Sequence, residues 1–139
     1  MATEAAAAVL SSQSVAELVV DGSDLILHLP PGQKVLGFHG DIRVPLSAVR
    51  SVSPLDKPWL ALRGRRMAGT ALRGVAAIGT WIHGDKLFDF NVLRRDQKAV
   101  QVDLNAGRFA RLIVGVAGEV DARAEADRIA DAAGVKRSR

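Results

Sequence analysis

The segment Arg63-Gly64-Arg65-Arg66-Met67-Ala68-Gly69-Thr70-Ala71-Leu72-Arg73-Gly74 holds the densest group of anion-binding side chains in this 139-residue sequence. Guanidinium forks set among glycines, whose backbone amides can turn toward a ligand, suit a phosphate or a carboxylate. Arg63, Arg65, Arg66 and Arg73 are therefore the candidate anion-binding residues, and Arg94 with Arg95 forms a second basic patch. The competing expectation is a solvated basic loop whose arginines pair with carboxylates of the same fold. Two glycines five apart followed by Thr70 look superficially like a nucleotide loop. That motif requires Lys where Thr70 stands, and a helix where Gly74–His83 reads as strand.

Other chemistry finds less support. With no cysteine, disulfides, thiolate metal sites and cysteine nucleophiles are excluded. His28, His39 and His83 lie in separate segments without a His-x-x-x-His pair, so no metal site is expected. Asp85, Asp89, Asp96 and Asp103 read as turn or outward-facing carboxylates, and nothing selects two of them as an acid–base pair. No serine sits in a Gly-x-Ser-x-Gly context. The expectation is a non-enzyme with no catalytic residue, cofactor or metal. Nucleic acid is not an expected partner, because six aromatics are few for a stacking platform and Phe88 and Phe90 read as a core-facing strand pair. Trp59 is expected to anchor the basic segment to the fold.

Composition is globular, at 48% apolar and 24% charged residues. The formal net charge of +4 is unevenly placed. Residues 61–115 carry ten basic and four acidic groups, a net +6, whereas residues 1–60 sum to −2 and residues 116–139 to zero. The N-terminus has an acidic first charge, Glu4, and a short alanine-rich run. No window reaches the ~18 apolar residues of a spanning helix, so a soluble cytoplasmic protein is expected.

Period-two patterning dominates the elements that must carry these groups. Val15–Val20 and Leu25–Leu29 flank Asp21-Gly22-Ser23-Asp24, a hairpin signal, with Leu25, Leu27 and Leu29 on one face. Pro30-Pro31-Gly32 ends the second strand, and Val35–Phe38 reads as a short apolar strand. Asp41–Leu46 alternates with Ile42, Val44 and Leu46 inward, and Pro45 marks it as an edge or bulge. A bent strand at Ala48–Val52 leads into a long connection from Pro54 to Arg73. Strands are expected again at Gly74–His83, Lys86–Val92, Lys98–Leu104 and Phe109–Val116. Glycines recur at 64, 69, 74, 79 and 84, a spacing that matches neither a strand nor a helix period and reads as separate turns and tight bends. From Glu119 to Ala133 the period becomes helical, with Ala122, Ala126, Ile129, Ala130 and Ala133 on one face and Gly134 as the stop. Residues 1–12 are expected to be a frayed segment, residues 13–134 one β domain with its terminal helix, and residues 135–139 a basic tail.

Seven or eight strands without intervening helices exclude a parallel doubly wound sheet and leave a mainly β antiparallel barrel or sandwich capped by one helix. This order of elements resembles the bacterial pleckstrin-homology-like (PH-like) domain. The likeness is carried by Gly40-Asp41-Ile42-Arg43-Val44-Pro45-Leu46-Ser47-Ala48-Val49, by Gly69-Thr70, Gly79-Thr80 and the Phe88–Phe90 strand, and by Val100–Leu104 and Phe109–Val116 before the helix. It spans about residues 14–134, and small actinobacterial proteins look similar. The resemblance implies two roughly orthogonal antiparallel sheets of seven strands closed by a C-terminal amphipathic helix. It further implies a binding or scaffolding module that engages a protein partner or a second copy of itself. In eukaryotic relatives, basic residues on the loop between the first two strands clamp inositol phosphates. Here that loop is the short acidic Asp21–Asp24, which would repel phosphate. The alternative is binding of an anion or an anionic membrane surface through Arg63–Arg73.

Overall fold

The computed structural model describes residues 16–37, 39–72, 75–84, 87–117 and 121–136. The expectations for residues 1–12 and for Phe38, Arg73, Gly74, Asp85, Lys86, Glu119 and 137–139 lie outside the described residues. Among the described residues nine strands form two sheets, with a short helix within the smaller sheet's connections and a longer helix closing the fold. Strands β1 (Glu17–Asp21), β2 (Asp24–His28) and β3 (Ile42–Pro45) make a three-stranded antiparallel sheet in that order, with helix α1 (Pro31–Gly37) between β2 and β3. The larger sheet holds β4 (Val49–Leu55), β5 (Arg65–Leu72), β6 (Ala76–His83), β7 (Leu87–Arg94), β8 (Ala99–Leu104) and β9 (Phe109–Gly115). Its order is β4-β8-β9-β7-β6-β5, and only the β7–β9 pair is parallel. Helix α2 (Ala122–Ala133) packs on β4 and β8. The mainly β sandwich with a helical cap is as expected, but the sheets do not close into a barrel, and the described residues hold nine strands where seven or eight are expected.

One core joins both sheets and α2. Leu25, Leu27 and Leu29 meet Ile78, Phe90, Val100, Val102 and Leu112 of the larger sheet, and Ile129 inserts from α2. Strict alternation explains why β2, β3 and β8 match the expected inward faces: one face of each is buried, and a slip of one residue would expose the whole set. The β1–β2 hairpin turns at Gly22, whose φ of 61° suits glycine. The larger helix spans Ala122–Ala133, with Asp121 as its N-cap accepting the Arg123 N–H at 2.8 Å. Gly134 ends it in the left-handed conformation at φ 72°. The Arg128 guanidinium also donates to the Leu18 carbonyl of β1 at 2.8 Å, tying α2 to the smaller sheet.

Two expectations are corrected. The sequence pattern predicts a strand at Val35–Phe38, yet residues 31–37 are helical. A short apolar run does not distinguish strand from buried helix. The deciding feature is Pro31, whose fixed φ and missing N–H suit a first helical turn, while the Pro30 carbonyl accepts the Gln33 and Lys34 amides at 2.9 and 3.0 Å. The second correction is larger. The connection expected from Pro54 to Arg73 is only residues 56–64, because β4 continues to Leu55 and Arg65–Leu72 forms β5. This strand lies at the sheet edge with both faces partly exposed, so it needs no alternating hydrophobic signature.

Candidate functional site

The larger sheet buries one face in the core and turns the other toward the 56–64 segment. Strand register sets side chains on that outer face in rows. One row runs Ser51, Asp103, Arg111, Asp89, Trp81, Arg66 from β4 to β5. The next runs Ser53, Gln101, Ile113, Asn91, Gly79, Gly69. Because β4 and β5 are opposite edges, the chain between them must cross the sheet. It does so as a strap containing one 3-10 turn, Pro58–Ala61. Trp59, Ala61 and Leu62 pack with Leu55 over Leu93, Ala99 and Ile113, so Trp59 does anchor this segment.

Beyond Leu62 the strap is fixed by charge. Arg63 donates from Nε to Asp89 Oδ2 at 2.6 Å and from Nη2 to Asp89 Oδ1 at 3.0 Å, a fork on a carboxylate that is 1% exposed. This hydrogen bond raises the Arg63 pKa against the opposing effect of burial. His83 Nε2 stands 3.4 Å from the same carboxylate. Arg63 thus pairs with a carboxylate of its own fold, the alternative to ligand binding that the sequence left open. Asp89, expected in a turn or on an outward face, sits on the outward face and is nevertheless buried beneath the strap.

A second, partly buried carboxylate lies along the row. Asp103 accepts from Ser51 Oγ at 2.9 Å, Gln101 Nε2 at 3.1 Å and Arg111 Nε at 3.0 Å. Burial pushes its pKa up, but the donors Gln101, Arg111 and Ser51 outweigh burial and hold it below the ordinary 3.8. Its stabilising contribution is therefore complete above that ordinary value and is lost as the pH falls through the lower folded value. Asp103→Asn is expected to be less stable than the wild type at neutral pH and to lose less stability on acidification. Thermal melts from about pH 5 to about pH 2 would check this, and parallel profiles for the two proteins would contradict it.

The remaining sequence candidates do not converge. Arg65 and Arg66 are exposed at the start of β5, and among the described residues neither makes an ion pair. Arg73 lies outside the described residues. Arg94 and Arg95 lie at the other end of the β6–β7 ladder, where Arg94 pairs with Ala76, and both already have partners in the fold. His28 bonds Asp41 at 3.0 Å, while the His39 ring lies against Phe90 and Phe109 at 5.3 and 5.7 Å. Among the described residues no three His, Asp or Glu side chains gather as a metal-ligand set. No described helix is long and apolar enough to cross a membrane.

What surrounds Arg65 was not legible beforehand. A cleft open to solvent is lined by Gly64, Arg65, Ile82, His83 and Gly84, where the strap enters β5 opposite the end of β6. The recurring glycines belong here as well. Positions 64, 69, 79 and 84 are symmetric about 74, and in the β5–β6 hairpin Gly69 pairs with Gly79 while Gly64 closes on residues 82–83. Equal spacing about a centre is a hairpin signal, and that symmetry could have revealed β5 in the sequence. No protein-family model, curated protein or solved structure matches this chain.

Proposed function

We propose that this chain is a non-catalytic interaction module of PH-like architecture that binds an extended segment of a protein partner along the edge of β5. The observation that carries the reading is that Arg65–Leu72 is an edge strand rather than a loop. An edge presents unpaired backbone donors and acceptors to any extended chain, and natural folds usually block them. The other edges carry such blocks. The Leu18 carbonyl of β1 is occupied by Arg128, β3 contains Pro45, and β4 contains Pro54 and lies under α2. β5 is eight residues long, has a single bulge between Arg66 and Ala68, and begins with exposed Arg65, Arg66 and Met67, the last 47% exposed. Arg65 and Arg66, which make no ion pair among the described residues, favour an acidic segment as the partner.

Two packed sheets and a C-terminal helix support the PH-like reading, and the parallel β7–β9 pair is a departure from that pattern. The non-catalytic reading is supported by the buried Asp89 and the partly buried Asp103 both being committed to internal donors. The test is binding of an acidic β-forming peptide to the wild type and to Arg65→Glu/Arg66→Glu, followed by fluorescence anisotropy at two salt concentrations. Charge reversal is expected to weaken binding at least about tenfold. Equal binding by the two proteins would overturn the reading. Light scattering on the same samples separates a foreign segment from a second copy as the occupant.

A further inference from the structure

The geometry points to a separate binding site, for a small apolar group bearing one carboxylate, in the hollow where β7 and β9 begin and β8 ends. The hollow encloses about 260 Å³ and is lined by Leu87, Phe88, Leu104, Phe109 and the turn formed by residues 105–108. Parallel pairing of β7 with β9 sets Phe88 opposite Phe109 at this end of the sheet. The register then shifts, because the next pair is Asp89 with Arg111, so Ala110 has no counterpart on β7. A bulge of this kind disrupts the ladder locally and re-aims the side chains around it. Ala110 also lies beyond the β8–β9 pairing, which ends at Asp103 and Arg111.

The walls differ in chemistry. Phe109 is 5% exposed, and its ring is held by Phe90 and His39, both with centroids 5.7 Å away. Leu87 is 48% exposed, an apolar side chain left facing water at the rim. The Arg108 Cζ lies over the Phe109 and Phe88 rings, 5.4 and 5.9 Å from their centroids. Such contacts hold the charge through the ring quadrupole and use none of its N–H donors. Arg108 is exposed and makes no ion pair among the described residues. Its planar fork is therefore positioned by the rings and open to a carboxylate. The two walls together select an amphipathic anion. A simple inorganic anion would leave Leu87 and Phe88 facing water, and a neutral apolar molecule would leave the guanidinium without a partner. The volume is below that of a drug-sized pocket and suits one phenyl or branched alkyl group. The site stands apart from β5, since β6 lies between β5 and β7.

The experiment titrates the full chain with phenylacetate, phenylacetamide and acetate, following backbone amide shifts residue by residue. Phenylacetate is expected to bind at least about tenfold more tightly than either of the others. Its shifts should centre on Leu87, Phe88 and residues 104–110. Arg108→Gln should lower the affinity for phenylacetate to that for the amide. Arg50→Gln, at an exposed arginine on β4, should leave it unchanged. A free acid and the C-terminal residue of a polypeptide share this chemistry. A Gly-Ser-Gly-Phe peptide with a free C-terminus separates them: tighter binding than phenylacetate assigns the site to a polypeptide end, and weaker binding assigns it to a free acid. Equal binding of phenylacetate and its amide, equal losses in the two arginine variants, or no binding at about 10 mM would overturn the site. None of these results bears on strand addition at β5.

Discussion

Arg63→Ala is expected to destabilise the fold by about 3–5 kcal/mol, and Asp89→Ala by distinctly less. The difference follows from burial. Asp89 is 1% exposed and Arg63 is 35% exposed. Removing the arginine strands a carboxylate under the strap, with the imidazole of His83 at 3.4 Å. Removing the aspartate releases a guanidinium that can swing its charged end into water. Loss of one charge-assisted partner in that case costs about 1–3 kcal/mol. Replacing both members with apolar residues of similar volume should recover most of the loss, since no charge is then buried unpaired. Urea unfolding of the two single variants and the double variant gives all three values. A cost below about 1 kcal/mol for Arg63→Ala would show that the ion pair does not hold the strap.

The second large effect concerns two glycines. Gly79→Ala should cost at least about 4 kcal/mol, a range reached only through a severe local cause. Gly69 and Gly79 face each other across β5 and β6 at φ of 114° and 142°. A Cβ on Gly79 would lie 2.2 Å from the Ala68 carbonyl oxygen, and one on Gly69 would lie 2.2 Å from that of Ile78. Each obstacle is backbone within a paired ladder, so neither can relax without separating the strands. Gly69→Ala should be milder than Gly79→Ala, because β5 is an edge and can pull away while β6 lies between two partners. Gly40→Ala is the control, having open space around its Cβ position and no positive φ. Thermal melts that place Gly79→Ala near the Gly40→Ala control would contradict this account of the hairpin.

The elements most legible in the sequence are those with one buried face. Leu25, Leu27 and Leu29, then Ile42, Val44 and Leu46, then Val100, Val102 and Leu104 show alternation because each set meets the core and its neighbours do not. The terminal helix is legible for the same reason at helical period. The candidate site is less so. On β7 the alternation of Phe88, Phe90 and Val92 does place Asp89 on the opposite face, and ordinarily that face would meet water. Nothing local indicates that a strap returns across it, because the crossing depends on β4 and β5 lying at opposite edges. The β7–β9 pairing is likewise a property of the assembled sheet. β5 was hidden by its edge position, which relaxes the need for an apolar face. Of the arginines proposed from sequence, Arg63 is structural and Arg65 with Arg66 remains on the surface, a division set by the single bidentate contact to Asp89.

These consequences depend on β5 being a strand with one paired and one open side. Residue-resolved amide hydrogen exchange over residues 65–72 of the free protein measures this directly. Backbone groups in an edge strand alternate between the neighbour and solvent, so slow and fast amides should alternate along β5, apart from the bulge at Arg66–Ala68 and Thr70, which has a further partner in the fold. A peptide bound at the edge should then slow the fast set and leave the slow set unchanged. Uniformly fast exchange would mean a loop, and uniformly slow exchange in the free protein would mean an edge already covered. Either result would contradict the account.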